Sequence, residues 1–246
     1  MRTRPVSRRR PTSEIALGSL EAESPLTLAD HAHTILEEMI VTLKLSPGST
    51  YSETSICERI GIGRTPVREA LQRLEFQHLV QIVPRYGVII NEILVPEQIM
   101  VVEMHRALEP VIASRAARRS SPRERVRIAD FRKKLIDTIA TGNIEEYLRR
   151  HLSMRKFVAG CTRNKFLATS LGSIDALSRR FFFVYQREPE QLEAAVRLNA
   201  DVLQAIATDN EQEAIVAANR LIEHVDEFTR AAINGAGQPG NISGPM

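Results

Sequence analysis

The sequence predicts a mainly α-helical protein with a small β-containing unit in its first hundred residues. Aromatic residues make up only 5% of the 246 residues and tryptophan is absent, while Leu, Ile, Ala, Glu and Arg dominate, a balance that favours helix over sheet. Apolar residues recur at helical spacing from Thr27 almost to the end of the chain. Two short β-branched runs flank Gly87, and they predict a two-stranded ribbon.

The charge and cysteine content narrow the class of protein. A hydrophobic fraction of 43% suits a globular chain, and the formal charge of +3 is too small to imply a nucleic-acid partner by itself. Basic residues are nevertheless concentrated in two places: Arg2, Arg4, Arg8, Arg9 and Arg10, then Arg59, Arg64, Arg68, Arg73 and Arg85. Cys57 and Cys161 are too few for a disulfide framework or a thiolate metal site. No apolar run approaches the roughly 18 residues of a membrane span, so we expect a cytoplasmic protein with no membrane partner.

The chain is expected to begin with a mobile basic arm, residues 1–24, which lacks apolar periodicity. The first helix is predicted from Thr27, which forms a capping pair with Asp30. Its apolar face consists of Leu28, Ala32, Ile35, Leu36, Met39, Ile40 and Leu43.

Two further helices follow a break at Ser46-Pro47-Gly48. Ser52 is predicted to cap the second helix and Gly61 to end it. In the third helix, Thr65 is the predicted N-cap and Pro66 the first helical residue, where no amide donor is needed. Its apolar face comprises Val67, Ala70, Leu71 and Leu74, and the opposite side or leading end carries Arg64, Thr65, Arg68 and Gln72.

A β-hairpin is predicted from strands 79–83 and 88–90, joined by Pro84, Arg85, Tyr86 and Gly87. Three helices and a two-stranded wing define a winged helix-turn-helix, which we assign to residues 25–92. The start of the third helix would then enter a major groove, with Arg85 and Tyr86 along the DNA backbone or the minor groove.

The remaining chain predicts an antiparallel all-α helical bundle over residues 96–235, after a linker from Asn91 to Val95. Pro96 opens the first of its helices, and Ser121-Pro122-Arg123-Glu124 matches a capping box that starts the next. Gly142-Asn143 separates that helix from four more, predicted over 144–160, 164–185, 189–207 and 211–233, with Asp209 as the last cap. Residues 236–246 are a Gly/Pro-rich tail, which we expect to be flexible.

The motif around the third helix resembles the GntR family of bacterial transcription regulators, in the FadR-like branch with an all-helical effector-binding domain of the FCD type. The resemblance rests on Gly63-Arg64-Thr65-Pro66-Val67-Arg68-Glu69-Ala70-Leu71, followed by Leu74, Leu79, Val80 and Gly87, and more weakly on His105 to Pro110, Asn164, Ala205, Ile206 and Asn210. In that family the residues matching Arg64, Thr65, Arg68 and Gly87 contact DNA.

The predicted DNA contacts are consistent with side-chain chemistry. Arginine can bond guanine in a bidentate manner, and a glycine allows close approach to phosphate. The predicted DNA-binding set is Arg64, Thr65, Arg68, Gln72, Arg85, Tyr86 and Gly87. A solvated helix face is the alternative for the two helix arginines, and packing within the turn is the alternative for Tyr86. Thr54 departs from the family, where many members carry arginine.

Many members of this branch bind a divalent metal in the helical domain, and the matching positions here are His151, Arg155, Asn199 and Leu221. A guanidinium and an aliphatic side chain are not metal ligands, so the resemblance implies that the metal site is lost and that no metal cofactor is bound. We expect Arg155 to bind an effector carboxylate instead, in a site shared with His151, His105 and Asn199. The alternatives are a structural salt bridge for Arg155, ordinary hydrogen-bonded histidines, or a rearranged metal site using His105 and His151.

The sequence therefore predicts a homodimeric repressor that binds a palindromic operator and is released by a small organic acid. One alternative is an architectural DNA-binding dimer whose helical domain binds no ligand. We expect no enzymatic activity, because the sequence has no nucleophile elbow, phosphate loop, metal-ligand cluster or matched nucleophile and base.

Overall fold

The computed structural model describes residues 27–236, which form nine helices and three strands. The helices are α1 Leu28–Val41, α2 Glu53–Ile60, α3 Arg64–Phe76, α4 Val95–Arg119, α5 Pro122–Thr141, α6 Ile144–Cys161, α7 Lys165–Tyr185, α8 Pro189–Ala207 and α9 Glu211–Ala236; the strands are β1 Thr50–Tyr51, β2 Val80–Val83 and β3 Gly87–Ile90. The mainly α prediction, with a winged helix-turn-helix and a helical second part, is confirmed. The predicted basic arm, residues 1–24, and residues 237–246 of the predicted tail lie outside the described residues.

The amino-terminal unit packs α1 against α3 over a small core. Ile40, Leu71, Leu74 and Val88 are almost completely buried there, and each such side chain contributes about 1.5–3 kcal/mol by leaving water. The capping pair predicted for α1 is confirmed, since the Thr27 hydroxyl accepts from the Asp30 amide. The prediction that Leu28 lies on the buried face was wrong: it is the first residue of α1, where no preceding helical turn covers it, and it is 66% exposed.

The β-sheet has one more strand than the sequence predicted. The hairpin of β2 and β3 is present, with Val83 opposite Gly87, and β1 pairs with the other edge of β3. The two-stranded wing was therefore an incomplete prediction. A two-residue strand has no alternation of its own, so only its tertiary pairing reveals it.

Two predicted helix caps were wrong. Gly63, with an extended backbone, is the N-cap of α3, and within the described chain no side chain caps that helix. Thr65 and Pro66 therefore lie in the second and third helical positions. At α9, the side chain of Asn210 accepts from the Glu213 amide, in place of Asp209. Asp209 has a left-handed backbone, with φ of 60°, so its side chain is not placed to cap the helix.

The second part of the molecule is a bundle of six helices, α4 to α9. Its main contacts pair α4 with α9, α5 with α8, and α8 with α9. The predicted capping box at Ser121 and Glu124 is confirmed, and α9 extends three residues beyond the predicted end at Ile233. Helix α7 packs on α4 and α6 of the bundle and also contacts α1 of the amino-terminal unit. It is therefore one of the helices through which the two parts meet.

Candidate nucleic-acid interface and ligand cavity

The first turns of α3 present a polar surface to solvent. Arg64, Thr65, Arg68 and Gln72 are all exposed, while Val67 and Leu71 on the opposite side are buried. This division follows from the helical period, which places positions 64, 68 and 72 along one side of the helix. Four of the seven residues predicted to contact DNA therefore share one accessible surface.

The first turn of α2 holds both arginines of that surface. Nε of Arg68 donates to Oε2 of Glu53 at 2.8 Å, and Nη2 of Arg64 lies 3.5 Å from the Thr54 hydroxyl. Arg68 remains 65% exposed. Because Glu53 binds only Nε, both terminal amino groups of Arg68 are left to bond a guanine edge or a phosphate. Thr54, the position that departs from the family, has thus become a partner of Arg64.

The hairpin tip carries the other three predicted residues. Arg85 and Tyr86 are exposed, and Arg85 has a positive φ of 66°. Gly87 has φ of +125°, and a Cβ at this position would lie 2.6 Å from the carbonyl oxygen of Tyr51. The need for glycine is therefore explained by the packing of β3 against β1. Approach of this backbone to phosphate, the role implied by the family resemblance, stays a prediction.

A cavity of about 90 Å³ lies inside the helical bundle. Its wall contains Gln98, His105, Glu109, Tyr147, Leu148, His151, Arg155, Asp175, Ser178, Arg179, Phe181, Phe182, Ala195, Asn199, Leu221, Ile222, His224, Val225 and Phe228. A single water molecule needs about 10–15 Å³, so the cavity has room for several water molecules or a small ligand group. The four positions matched to the family's metal ligands all lie in this wall, and so does His105.

Arg155 is bonded to two carboxylates of the protein. Both of its terminal amino groups donate to Glu109, one of them at 2.6 Å, and its Nε donates to Asp175 at 3.2 Å. Burial alone would raise the pKa of Glu109, but Arg155 and the hydrogen bond from His105 lower it to about 2. Burial alone would lower the pKa of Arg155, but Glu109 and Asp175 raise it.

The histidines of the cavity differ in their hydrogen bonding. Nδ1 of His105 lies 2.9 Å from Glu109, and its Nε2 lies 3.0 Å from the Ser178 hydroxyl. By contrast, Nδ1 of His151 and Nε2 of His224 are buried with no hydrogen-bond partner among the described residues. Burial lowers the pKa of His151 to about 4 and also lowers that of His224, so both rings are neutral at pH 7. Asn199 donates to the Ala195 carbonyl at 2.8 Å and lies 3.4 Å from the Tyr147 hydroxyl.

The residues at the family's metal positions do not suit a divalent cation. The Arg155 guanidinium would oppose a cation electrostatically, and Leu221 offers no donor atom. Within residues 27–236, no three His, Cys, Asp or Glu side chains are grouped so that they could hold a metal ion.

Sequence reasoning missed several residues that organise these sites. Glu53 orients Arg68, and Asp175, Arg179 and Glu37 extend the ion pairs of Arg155. The spacing of four between Asp175 and Arg179 is a usable signal for an ion pair on one helix. The contact of Arg179 with Glu37 spans 142 positions, so no local pattern could indicate it.

Comparison with known proteins agrees with this architecture. The family model for bacterial regulatory proteins of the gntR family matches residues 28–90, and the FCD domain model matches residues 100–224. An HTH-type transcriptional regulator of Agrobacterium vitis is 34% identical over 112 residues, which are 46% of this chain and 64% of that protein. The HTH-type transcriptional repressor RspR of Escherichia coli K12 is 34% identical over 85 residues, 35% of this chain and 37% of the repressor. The chain thus matches less than two-thirds of the length of these relatives.

Solved structures show the same fold. E. coli McbR/YncC superposes with a TM-score of 0.69 at 16% identity, covering 85% of this chain and 99% of that one. A GntR protein from Rhodococcus sp. RHA1 gives a TM-score of 0.63 at 18% identity, with 84% and 97% covered. The fold is therefore that of winged helix-turn-helix regulators with an all-helical second domain. The chain belongs to the GntR family, in the group that carries an FCD domain. Within residues 27–236 no helix is both long and apolar enough to span a membrane.

Proposed function

We propose that the protein is a sequence-specific DNA-binding transcription repressor whose operator affinity is controlled by a small molecule in the bundle cavity. One observation supports the proposed DNA binding: Arg64 and Arg68 project from the first turns of α3, and both side chains bond residues of α2. An exposed guanidinium with a fixed Nε and free terminal amino groups suits bidentate contact with guanine. Arg85 and Tyr86 would contact the DNA backbone beside that guanine.

A homodimer on a palindromic operator is the assembly that we propose. One winged helix reads few base pairs, and a twofold pair of them reads two half-sites. The outward surface of α4 supports this assembly, since Met100, Met104 and Val111 are 56%, 45% and 42% exposed. Their spacing of four and seven residues places them on one side of the helix. Met104→Glu should therefore convert the dimer to a monomer in light scattering, whereas Glu103→Gln on the same helix should leave it dimeric.

The effector that we propose carries a carboxylate and binds Arg155 in exchange for Glu109. Three of the five N–H groups of Arg155 already bond Glu109 and Asp175, so an incoming carboxylate can bind the guanidinium in a bidentate manner only by displacing one of them. Once Glu109 loses Arg155, burial again dominates its pKa, and the displaced carboxyl group should take up a proton. Effector binding should therefore strengthen as pH falls, by up to about tenfold per pH unit if one proton is taken up.

The test uses the full chain and a duplex selected from random-sequence DNA by the protein itself. Small organic acids are screened for a rise in melting temperature and for a loss of operator affinity. Removing Arg155 alone would strand two buried carboxylates, so the variant of choice is the charge-balanced Arg155→Gln/Glu109→Gln. This variant should bind the duplex and ignore the acid, whereas Arg150→Ala on the same helix should still respond. An unaltered response in the double variant would contradict the role of Arg155.

A second candidate is an architectural DNA-binding dimer whose bundle binds no ligand. It is favoured by the same ion pairs, because three N–H groups of Arg155 already bond protein carboxylates. This alternative predicts that no small molecule changes either the melting temperature or the operator affinity. Proton uptake on effector binding, measured by calorimetry in buffers of different ionisation enthalpy, would exclude it.

A further inference from the structure

A chain of alternating buried charges runs from the cavity to the DNA-binding unit. It begins at Glu109 on α4, which pairs with Arg155 on α6. Arg155 pairs with Asp175 on α7, and Asp175 pairs with Arg179 one turn further along, at 2.8 Å. Nη2 of Arg179 then donates to Oε1 of Glu37 on α1 at 2.5 Å. We call these five residues the ion chain.

The ion chain is almost completely removed from water, and its most accessible side chain, that of Arg155, is 11% exposed. Glu37 is 1% exposed, and Glu109, Asp175 and Arg179 are each 5% exposed. Although burial opposes ionisation, the neighbouring arginines lower the pKa of Asp175, and Asp175 with Glu37 raises that of Arg179. A buried charge is stable only while its partner stays in place, and removing one partner is strongly destabilising. A change at one link therefore has to be accommodated by the next.

The far end of the ion chain contacts the end of α3. Gln77 is the C-cap residue of that helix. Its Nε2 donates to Oε2 of Glu37 at 3.2 Å and to the carbonyl of Gly172 on α7 at 3.0 Å. Nε2 of His33 on α1 lies 2.7 Å from the Gln77 side-chain oxygen. The helix that carries Arg64 and Arg68 at its start is thus held at its other end by Glu37 and by α7.

Helix α7 forms hydrogen bonds both with the helical bundle and with the DNA-binding unit. Towards the cavity, Asp175 bonds Arg155 and Ser178 bonds His105. Towards the DNA-binding unit, Arg179 bonds Glu37 and the Gly172 carbonyl bonds Gln77. The ion pairs connect Glu109 to Glu37 through Arg155, Asp175 and Arg179.

We propose that the ion chain and α7 transmit the state of the cavity to α3. This proposal rests on the proposed function and specifies how the cavity regulates DNA binding. When Arg155 changes its partner in the cavity, Asp175 and Arg179 readjust, and Glu37 with Gln77 moves the end of α3. In a dimer, a small shift of each recognition helix alters the match to two successive half-sites.

Two other contacts between the DNA-binding unit and the helical bundle provide controls. Lys44 pairs with Glu145 at 3.1 Å, and Arg149 lies 3.9 Å from Glu38. Both pairs join the two parts of the molecule at exposed or partly exposed positions, and none of the four residues lines the cavity. Glu38 is the neighbour of Glu37 in the sequence, so Glu38→Gln is a matched control for Glu37→Gln.

The experiment is a double-mutant cycle between the two ends of the ion chain. Glu109→Gln is introduced into the full chain alone, with Glu37→Gln, and with Glu38→Gln, and the affinity for the selected duplex is measured. Sites with no shared contact normally act additively. We expect Glu109→Gln to change the dissociation constant at least fivefold in the parent and in Glu38→Gln, and less than twofold in Glu37→Gln. Equal changes in all three backgrounds, or no change in any, would overturn the proposal.

Hydrogen exchange of the same proteins without DNA or effector gives an independent readout. Glu109→Gln should raise amide exchange in α1 and in the last turn of α3 at least threefold, and this increase should be absent in the Glu37→Gln background. An increase confined to the bundle would overturn the proposal. If Glu109→Gln does not fold, Asp175→Asn replaces it. A parent chain that selects no duplex would refute the proposed function, while the exchange measurement would still decide the role of the ion chain.

Discussion

Arg68 and Glu53 form an ion pair in which Nε of the arginine donates to the carboxylate at 2.8 Å. The pair joins α3 to the first turn of α2 and is partly exposed, so it contributes little to stability. The pair instead fixes the orientation of the Arg68 guanidinium and leaves both of its terminal amino groups available. An acidic residue beside the proposed DNA-binding surface would repel phosphate, and we therefore attribute the presence of Glu53 to the orientation of Arg68.

Glu53→Ala should separate specific from non-specific binding. Loss of the hydrogen bond frees Arg68 and should weaken binding to the selected duplex by about 1 kcal/mol, roughly fivefold. Loss of a negative charge should at the same time strengthen binding to a scrambled duplex. Glu58→Ala, on the exposed side of the same helix, should strengthen binding to both duplexes. If Glu53→Ala also changed both affinities in the same direction, the orienting role would be wrong.

Gly87→Ala should destabilise the fold more than Gly61→Ala. Both glycines have positive φ, +125° and +67°, but a Cβ at Gly87 meets the Tyr51 carbonyl oxygen, whereas nothing lies within 4 Å at Gly61. Left-handed strain alone costs about 1 kcal/mol, and the added contact should bring the cost at Gly87 to about 2–3 kcal/mol. Urea unfolding of both variants measures the difference. Equal free energies of unfolding would show that β1 does not restrict this position.

The neutral His151 should make the fold sensitive to mild acid. Its pKa is lowered from 6.5 to about 4 by burial, so below pH 6.5 the unfolded chain takes up a proton that the folded chain does not. His151 therefore does not reduce the free energy of unfolding above pH 6.5, and it lowers that free energy progressively as pH drops towards 4. His151→Phe should flatten the pH dependence of the unfolding free energy in this window, by up to a few kcal/mol.

At lower pH the carboxylates of the cavity should dominate. Glu109 has its pKa lowered from 4.5 to about 2, and Asp175 shifts in the same direction. Their contribution is present above pH 4.5 and is lost as pH falls towards 2. We therefore also expect a slope below pH 4, where the window of His151 has ended, and this slope should persist in His151→Phe.

The purified protein should contain no stoichiometric zinc, nickel or manganese. The basis is the paired guanidinium of Arg155 and the aliphatic Leu221 at two of the four family positions. Elemental analysis of protein purified without chelator or affinity metal decides the point. One metal ion per chain would mean that His105, His151 or His224 provides a rearranged site.

Local patterns predicted most of the fold. The capping boxes at Thr27 and Ser121 and the glycine that ends α2 each have a backbone signature within a few residues. Strand β1 and the cap of α3 were missed because only tertiary pairing and backbone direction define them.

The functional residues also divide into those that a local pattern predicts and those that only tertiary packing reveals. The exposure of Arg64 and Arg68 follows from helical spacing, and so does the position of Arg155 four residues after His151 on one helix. The partners of these residues, Glu53 and Glu109, come from other helices at separations of 15 and 46 positions. No periodicity encodes such contacts, and they arise only from packing.

Arg68→Ala is the decisive variant for the proposal that the first turns of α3 read DNA. Its affinity for the selected duplex is compared with that of Arg73→Ala, a variant of the same helix whose arginine pairs with Asp30. We predict that Arg68→Ala loses about 1–3 kcal/mol of specific binding with an unchanged helical circular dichroism signal, and that Arg73→Ala loses much less. If Arg68→Ala bound the duplex as tightly as the parent chain, the first turns of α3 would not be the surface that reads DNA.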